Sequence, residues 1–403
     1  MRHREVWGTL PGNQSVKIAI DAVGIRGHGG AAVLLELIEW LPRIRPGWEW
    51  HLFLLSRTLR EFDDPRTEAG VTIECTRKGH SGFGRLLWTS RTLPRRAAAL
   101  GADVVFSFAN IGMRNSDIPN VVLVHQSHIL PSRSPRDLPM LGKLRMAILR
   151  RYVLMGLRSA AAVIVQTTEM ATELIRLEGS LDGRLHVIPS GYRTAVESPM
   201  VSSRLRAALE RANGGKAVSY VSFPHVHKNH DRLLHAWAQV QRTVPSARLF
   251  LTVDLDESPN TGFARAARRL RAVASKLGID ESIEWVGYLS ETDVMFLLEN
   301  SAATVFPSLA ESFGLPLVEA MAAGCPIAAS DLPYAREVAR DAAIYFDPLD
   351  PDSIARTVVR LLNDQRCAAR LLTAGATLRE RYSYRTIAEK IADLLSMAVK
   401  DDR

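Results

Sequence analysis

Residues 306–326 read FPSLAESFGLPLVEAMAAGCP, and this stretch decides how the rest of the chain is read. It carries two carboxylates, Glu311 and Glu319, with seven residues between them and Ser312-Phe313-Gly314 directly after the first. The preceding SAATVF has the apolar run of a short buried strand, which Pro307 and Ser308 close. Gly314 allows a backbone conformation or close approach that a Cβ would hinder. Pro316 suits the first helical positions, where its missing N–H costs nothing. Strand, polar loop and helix N-terminus therefore follow one another. Unpaired backbone N–H groups and the positive end of the helix dipole are then available to phosphate or sugar oxygens.

Outward from this unit the second half of the chain keeps alternating. PIAASDLPYAREVARDAAIYFDPLDPDSIARTVVRLL continues as strand, helix, strand and helix, and YRTIAEKIADLLSMAV (384–399) is a terminal amphipathic helix that needs a partner surface. On the other side, SIEWVGYLSETDVMFLLENS gives strand, loop and helix, with Ser290 as N-cap and Asp293 completing something close to a capping box. ARLFLTVD (247–254) is a strand, and FARAARRLRAVASKLGI a basic helix with a solvated face. AVSYVSF (217–223) opens this half and runs into Pro224-His225-Val226-His227-Lys228-Asn229-His230. The spacing H-x-H-x-x-H invites a metal, but no carboxylate-bearing helix accompanies it. Lys228 at a helix entrance is better explained as a point charge for a diphosphate.

The first half has the same rhythm. VKIAIDAV (16–23) is a strand, and GIRGHGGAAVLLELIEWLP a glycine-rich loop entering an amphipathic helix, with His28 among Gly27, Gly29 and Gly30. The loop departs from the dinucleotide pattern G-x-G-x-x-G. A ligand at this turn is still favoured over a merely tight turn, because ligands of open parallel sheets collect beyond the carboxyl ends of strands. Further strands lie at 50–56, 71–75, 103–108, 120–125 and 161–167, mostly with helical patterns between them, as in a doubly wound α/β domain. His125, followed by Gln126-Ser127-His128, stands at a strand's carboxyl end and is a candidate site residue. Thr167 or Thr168 caps the next helix. LHVIPSGYR adds a short strand and turn, and the polar stretch 192–216 reads as a linker. Loops at 77–90 and 110–140 are assigned to acceptor selection.

Composition narrows the function classes. With 403 residues, 47% hydrophobic and 23% charged, the chain is long enough for two globular domains and is neither disordered nor fibrous. Three scattered cysteines, Cys75, Cys325 and Cys367, lack metal-ligand spacing and suit a reducing cytosol. MRHREVWGTLPGNQSV lacks the apolar core of a secretory signal, and no run of about 18 apolar residues spans a bilayer. Lys and Arg number 51 against 43 Asp and Glu, a net charge of +8, and the excess clusters between Pro131 and Arg158. There seven basic residues and a single acid, Asp137, interleave with Leu, Met, Ile, Val and Tyr. A basic amphipathic helix over 137–158 fits an anionic membrane surface. Nucleic acid is excluded, because no aromatic-rich platform accompanies the charge.

Taken together, these stretches resemble the family 4 glycosyltransferases, retaining enzymes of the GT-B fold. FPSLAESFGLPLVEAMAAGCPIAASDLPYAREV looks like the family's E-x7-E signature and its continuation. The Gly29-Gly30 turn, AAVIVQTTEMATEL, VIPSGY, Lys228-Asn229 and VGYLSETDV support it. The resemblance implies two Rossmann-like doubly wound domains facing a cleft. The N-terminal acceptor domain would span residues 1–195, a linker 196–216 and the nucleotide-sugar domain 217–383. A helix over 384–403 would cross back to the first domain.

It also implies roles. Glu311 would contact donor-sugar hydroxyls, and the N–H groups of Phe313, Gly314 and Leu315 would approach the sugar and diphosphate. Glu319 would hold the ribose, Lys228 would neutralise the departing diphosphate, and Gly287, Tyr288 and Leu289 would border the base. Gly29 and Gly30 would face the diphosphate and acceptor, and His125 would sit beside the anomeric carbon. His125, Lys228 and Glu311 form the catalytic set. Phe223, His227, Asn229, Ser308 and Ser312 complete the donor-binding set. Phe223 stands where members often carry an arginine; the sequence leaves open whether His225 or His227 takes that place, and a neutral histidine would supply less charge.

The expected activity is transfer of a hexose-type sugar from a GDP- or UDP-sugar to a lipid-linked or polysaccharide acceptor of the cell envelope, such as lipopolysaccharide, capsule or exopolysaccharide. No cofactor or metal is expected. The expected location is the inner face of the plasma membrane. Alternatives are a sugar-nucleotide 2-epimerase and a catalytically weak sugar-nucleotide-binding module.

Overall fold

The computed structural model describes residues 15–25, 28–56, 70–76, 82–108, 110–114, 116–126, 129–130, 140–192, 201–212, 216–255 and 261–400. Within them are two sheets. The first has seven strands: β1 Lys17–Asp21, β2 Glu49–Leu55, β3 Val71–Thr76, β4 Val104–Ser107, β5 Asn120–Val124, β6 Ala162–Val165 and β7 Leu185–Val187, in the order β3-β2-β1-β4-β5-β6-β7. The second has six: β8 Ala217–Tyr220, β9 Arg248–Leu251, β10 Ile283–Trp285, β11 Ala303–Phe306, β12 Ile327–Ser330 and β13 Ala343–Phe346, in the order β10-β9-β8-β11-β12-β13.

Strands β3-β2-β1-β4-β5 pair in parallel, with Ile18 opposite both Trp50 and Val104. Every pairing in the second sheet is parallel as well. Strands covered on both faces must be apolar throughout, which is why VVFS, ATVF and IAAS are buried at every position. In each sheet the chain winds outward from its first strand, returns, and winds out the other way. The reversal leaves switch points between β1 and β4 and between β8 and β11, where doubly wound sheets hold ligands.

The local signals place the helices well. Thr167 Oγ1 accepts from Met170 N and caps the helix Thr168–Leu177, and Ser290 Oγ accepts from Asp293 N at 3.1 Å. Two segments differ from expectation. The stretch read as linker contains the helix Ser203–Arg211, whose Leu205 and Ala208 are buried in one cluster with Phe250, Val286 and Leu297. Its three arginines hide a stripe of few apolar residues. Residues 82–90, read as loop, are helical: Gly82–Leu87, a π turn Trp88–Thr92, then Leu93–Leu100. Their anchor is Asp21, a distant residue.

The basic helix is seen over Met140–Arg158. Several expectations, namely Gly27, residues 77–81, Ser127, His128, 131–139, 193–200, 213–215 and the two termini, fall outside the described residues. Among the described residues no helix is long and apolar enough to cross a membrane.

The chain divides into two compact units, one made of Met1–Leu123, Val153–Val163 and Ile391–Arg403, the other of Val124–Tyr152 and Ile164–Lys390. The terminal helix Tyr384–Lys400 thus ends in the unit that contains β1, where Asp393 pairs with Arg45 at 2.5 Å. In the other unit Tyr192 N donates to Tyr382 O at 2.9 Å. This approach requires Gly191, where an added Cβ would lie 2.8 Å from the Tyr384 ring.

Candidate functional site

Lys228, Asn229, Ser308 and Glu311 meet at the β8–β11 switch point, whereas Gly287, Tyr288 and Leu289 follow the edge strand β10. Beyond β8 the chain makes a short 3₁₀ turn, Val226–Lys228, and Asn229 takes the left-handed conformation (φ 60°) that asparagine tolerates better than most residues. The Asn229 side chain donates to Pro307 O at 3.0 Å and to Pro348 O at 2.7 Å, which ties the loop to the end of β11. Leu309 N donates to His227 O at 2.7 Å and closes the same junction. Lys228 Nζ then lies 2.6 Å from Glu311 Oε1 and 5.9 Å from the centre of the Phe306 ring. The lysine and glutamate side chains keep 19% and 12% exposure, so the pair is reachable from solvent without being loose in it.

Beneath this pair is a buried hydroxyl layer. Tyr220 Oη donates to Lys228 O at 2.6 Å and lies 3.2 Å from Ser308 Oγ, while Tyr334 Oη donates to Ser308 O at 2.6 Å. Ser308 is fully buried, so it acts through the loop's shape and not by touching a ligand. The fold, and not any local pattern, brings Tyr220 and Tyr334 here. Sequence reasoning passed over both, and burial pushes both phenols above their ordinary range.

The helix Leu315–Ala322 starts as expected. Gly314, at φ 97°, precedes it and Pro316 lies in its first turn. A Cβ at Gly314 would be 3.2 Å from Leu317 Cδ1, so both backbone strain and crowding exclude a larger residue. Phe313 is buried edge-on against Tyr382 at 5.7 Å and offers only its backbone to a ligand. Ser312 O accepts from Thr167 Oγ1 at 3.3 Å. Leu315 and Glu319 are half-buried on the helix.

The three histidines do not converge. His225 and His227 lie ring to ring at 4.4 Å, whereas His230 is turned inward against Tyr220 at 4.8 Å. Burial, then the neighbouring Lys228 charge, lowers the pKa of His225 below the ordinary imidazole value. A histidine held down in this way is neutral at pH 7 and does not replace the cation absent at Phe223. Burial likewise lowers His230 to about 3. Phe223 itself is stacked between other aromatic rings.

In the first sheet, Gly29 and Gly30 occupy the first turn of the helix His28–Ile44, with open space where a Gly29 Cβ would stand. His125 follows β5 and is half-buried. Sequence reasoning missed the strongest polar contact at this end. Asp21, at the last position of β1, accepts from Arg85 Nη1 at 3.0 Å and Nη2 at 2.7 Å, and from Trp88 Nε1 at 3.0 Å. An acid inside an apolar strand was the available signal, but its partner lies 64 residues away.

Two doubly wound parallel sheets, with ligand-type loops gathered at the switch point of the second, define a protein of the GT-B fold. The family model Glycosyl transferases group 1 matches residues 202–387, and Glycosyltransferase Family 4 matches residues 27–196. The chain belongs to the group 1 glycosyl transferases. It is 26% identical over 247 residues to a D-inositol 3-phosphate glycosyltransferase of Acidothermus cellulolyticus, covering 61% of this chain and 55% of that protein. The chain spans about half the length of the curated relatives it matches. Among solved structures, sucrose-phosphate synthase from Thermosynechococcus elongatus aligns with TM-score 0.73 at 20% identity, covering 95% of this chain and 98% of that one. Anabaena HepE, solved with UDP-glucose, aligns with TM-score 0.71 at 21% identity, covering 94% and 99%. Likeness at this identity speaks for the fold.

Proposed function

We propose that the protein is a retaining, metal-independent glycosyltransferase that moves a hexose from a nucleotide-diphosphate sugar to a lipid-linked or polysaccharide acceptor of the cell envelope. The observation that carries this reading is the Lys228–Glu311 pair, preassembled at the β8–β11 switch point. Cleavage of the bond between the anomeric carbon and the diphosphate oxygen leaves negative charge on the diphosphate. A cation already in place, with N–H groups at the entrance of the helix Leu315–Ala322, stabilises that charge more in the transition state than in the ground state. As the acceptor oxygen bonds to the anomeric carbon on the same face, its proton passes to the departing diphosphate. Glu311 binds sugar hydroxyls and orients Lys228, and Glu319 holds the ribose. Gly29, Gly30 and His125 serve the acceptor and the anomeric carbon.

The test is Lys228→Ala. Turnover is expected to fall about 100- to 1000-fold with weakened donor binding; an unchanged rate and donor affinity would remove the assignment. Chelation by EDTA leaves the rate unaltered, and incubation with donor alone yields no isomer, which separates transfer from epimerisation.

The acceptor part of the reading is supported by the helix Met140–Arg158. Met140, Leu141, Leu144 and Ile148 are exposed on one side of it, with Lys143, Arg145 and Arg151 exposed nearby. Apolar burial and charge attraction add at an anionic bilayer, and the protein works at such a surface. Ile148→Glu with Leu144→Glu is expected to weaken binding to phosphatidylglycerol vesicles by about tenfold or more. Equal binding in a co-sedimentation assay would count against the membrane site.

A further inference from the structure

Glu311 stands between Ser308 and Ser312, and the carbonyls of both serines accept hydrogen bonds from hydroxyls outside the loop. Tyr334 Oη donates to Ser308 O at 2.6 Å, and Thr167 Oγ1 donates to Ser312 O at 3.3 Å. Tyr334 belongs to the helix Pro333–Ala339, and Thr167 caps the helix Thr168–Leu177. A carboxylate joins these two helices. Glu337 lies one turn beyond Tyr334 and accepts from Thr168 N at 2.8 Å and 3.0 Å through its two oxygens, and from Thr168 Oγ1 at 2.8 Å. The path Ser308–Tyr334–Glu337–Thr168–Thr167–Ser312 therefore closes around the span that carries Glu311. All of it lies in the unit that holds Ile164–Lys390.

Each link has a physical basis. The first N–H groups of a helix have no partner within it, and a carboxylate set against them gains both the hydrogen bonds and the positive end of the dipole. Glu337 thus fixes Thr168 at the start of its helix. Thr167, the residue before, is fully buried, and its hydroxyl accepts from Met170 N at 3.4 Å. A hydroxyl has one proton to give, and here it goes to Ser312 O. A charged residue beside an exposed threonine ordinarily contributes little. This contact is distinguished by the closed path, which runs through both carbonyls that flank Glu311.

We propose that Glu337 is a positioning residue: through Thr168 and Thr167 it fixes Ser312, and with it the Glu311 carboxylate that receives the donor sugar. The inference rests on the nucleotide-sugar reading above and adds to it a residue that acts only through others. Lys228 has its own support, because its carbonyl accepts from Tyr220 Oη at 2.6 Å and its N–H donates to His225 O at 2.9 Å. Loosening the bracket at Ser312 is therefore felt by the sugar and not by the diphosphate.

Calorimetric titration of the full chain with UDP-glucose and UDP, and with GDP-mannose and GDP, tests this on whichever pair binds more tightly. Glu337→Ala and Thr167→Val are each expected to weaken the sugar nucleotide about three- to tenfold and to leave the bare diphosphate within about twofold. Glu337→Gln keeps an oxygen that accepts from Thr168, and Thr167→Ser keeps the hydroxyl, so both are expected to retain the unaltered affinities. Glu337→Ala combined with Thr167→Val should weaken the sugar nucleotide no further than the worse single substitution, since both act through Ser312 O. Should Thr167→Val unfold the protein by loss of the helix cap, Glu337→Ala carries the test. Unchanged affinities with a lowered thermal midpoint, equal weakening of both ligands, or additive effects in the double variant would each overturn the bracket and leave the nucleotide reading intact. Binding of the bare diphosphates alone removes the sugar role of Glu311 and the bracket with it. Failure of all four ligands to bind the unaltered chain overturns the nucleotide reading itself.

Discussion

An acid–base pair stands at the carboxyl end of the leading strand in each sheet, and the two pairs differ in how much water reaches them. Asp21 and Arg85 are 0% and 7% exposed, joined by two parallel hydrogen bonds and closed over by Trp88. Lys228 and Glu311 are 19% and 12% exposed and joined at one point. A buried, forked pair spends its charges on each other away from water, and its work is to hold the helical segment 82–100 onto β1. A half-buried lysine point charge can be shared with an incoming phosphate at little cost. The same chemistry at equivalent places in two sheets is sealed in one and open to solvent in the other, and the proposed receptor role of Lys228 rests on that difference in desolvation.

The largest effect that can break this contrast is on stability. Asp21→Ala leaves the Arg85 guanidinium buried and uncompensated, and is expected to cost about 3–5 kcal/mol in urea unfolding. A loss below about 1 kcal/mol would make the first pair no more structural than the second. Lys228→Ala should behave in the opposite way, with its 100- to 1000-fold loss of turnover accompanied by no more than about 1 kcal/mol of destabilisation. If both proteins lose stability equally, the contrast fails.

A third test concerns the backing of the open pair. His230 has its folded pKa lowered to about 3 from 6.5. The unfolded chain therefore takes up its proton first as pH falls, and the contribution to stability is complete above 6.5 and lost below it. The slope is about 1.4 kcal/mol per pH unit, running down toward pH 3. Unfolding of His230→Phe followed across pH 4–7 should be flatter than that of the unaltered protein, and parallel profiles would assign the acid sensitivity elsewhere. The smallest effect is expected for Tyr334→Phe. Removing the hydroxyl from Ser308 O costs about 1 kcal/mol. A modest loss of donor affinity should follow if the hydroxyl layer positions Glu311, and unchanged affinity would confine Tyr334 to packing.

Much of this was legible in the chain, for identifiable reasons. Strands of a doubly covered parallel sheet are short apolar runs, so VVFS, NVVLV, ATVF and IAAS stand out, and the caps at Thr167 and Ser290 follow from side-chain oxygens ahead of periodic segments. Lys228, Glu311 and Gly314 were visible because the loops after β8 and β11 break the apolar pattern with residues that packing does not need. The helix Ser203–Arg211 was read as linker because only a few of its side chains face the core while its arginines dominate the composition. The segment 82–90 was read as loop for a related reason, since what folds it is a carboxylate on β1.

The sequence by itself determined the alternation of strands and helices, the two-sheet architecture and the identity of the charged residues near the second switch point. Local spacing and side-chain chemistry are enough for those. Only the tertiary structure decided which charges meet, with Asp21 and Arg85 64 residues apart and Lys228 and Glu311 83 apart. It alone decided that burial lowers the pKa of His225, that Ser308 lies beneath the Lys228–Glu311 pair, and that Phe223 stacks with both Phe263 and Tyr288. Parallel strands bring distant loop ends together at one edge of a sheet, and desolvation there sets what each group can do.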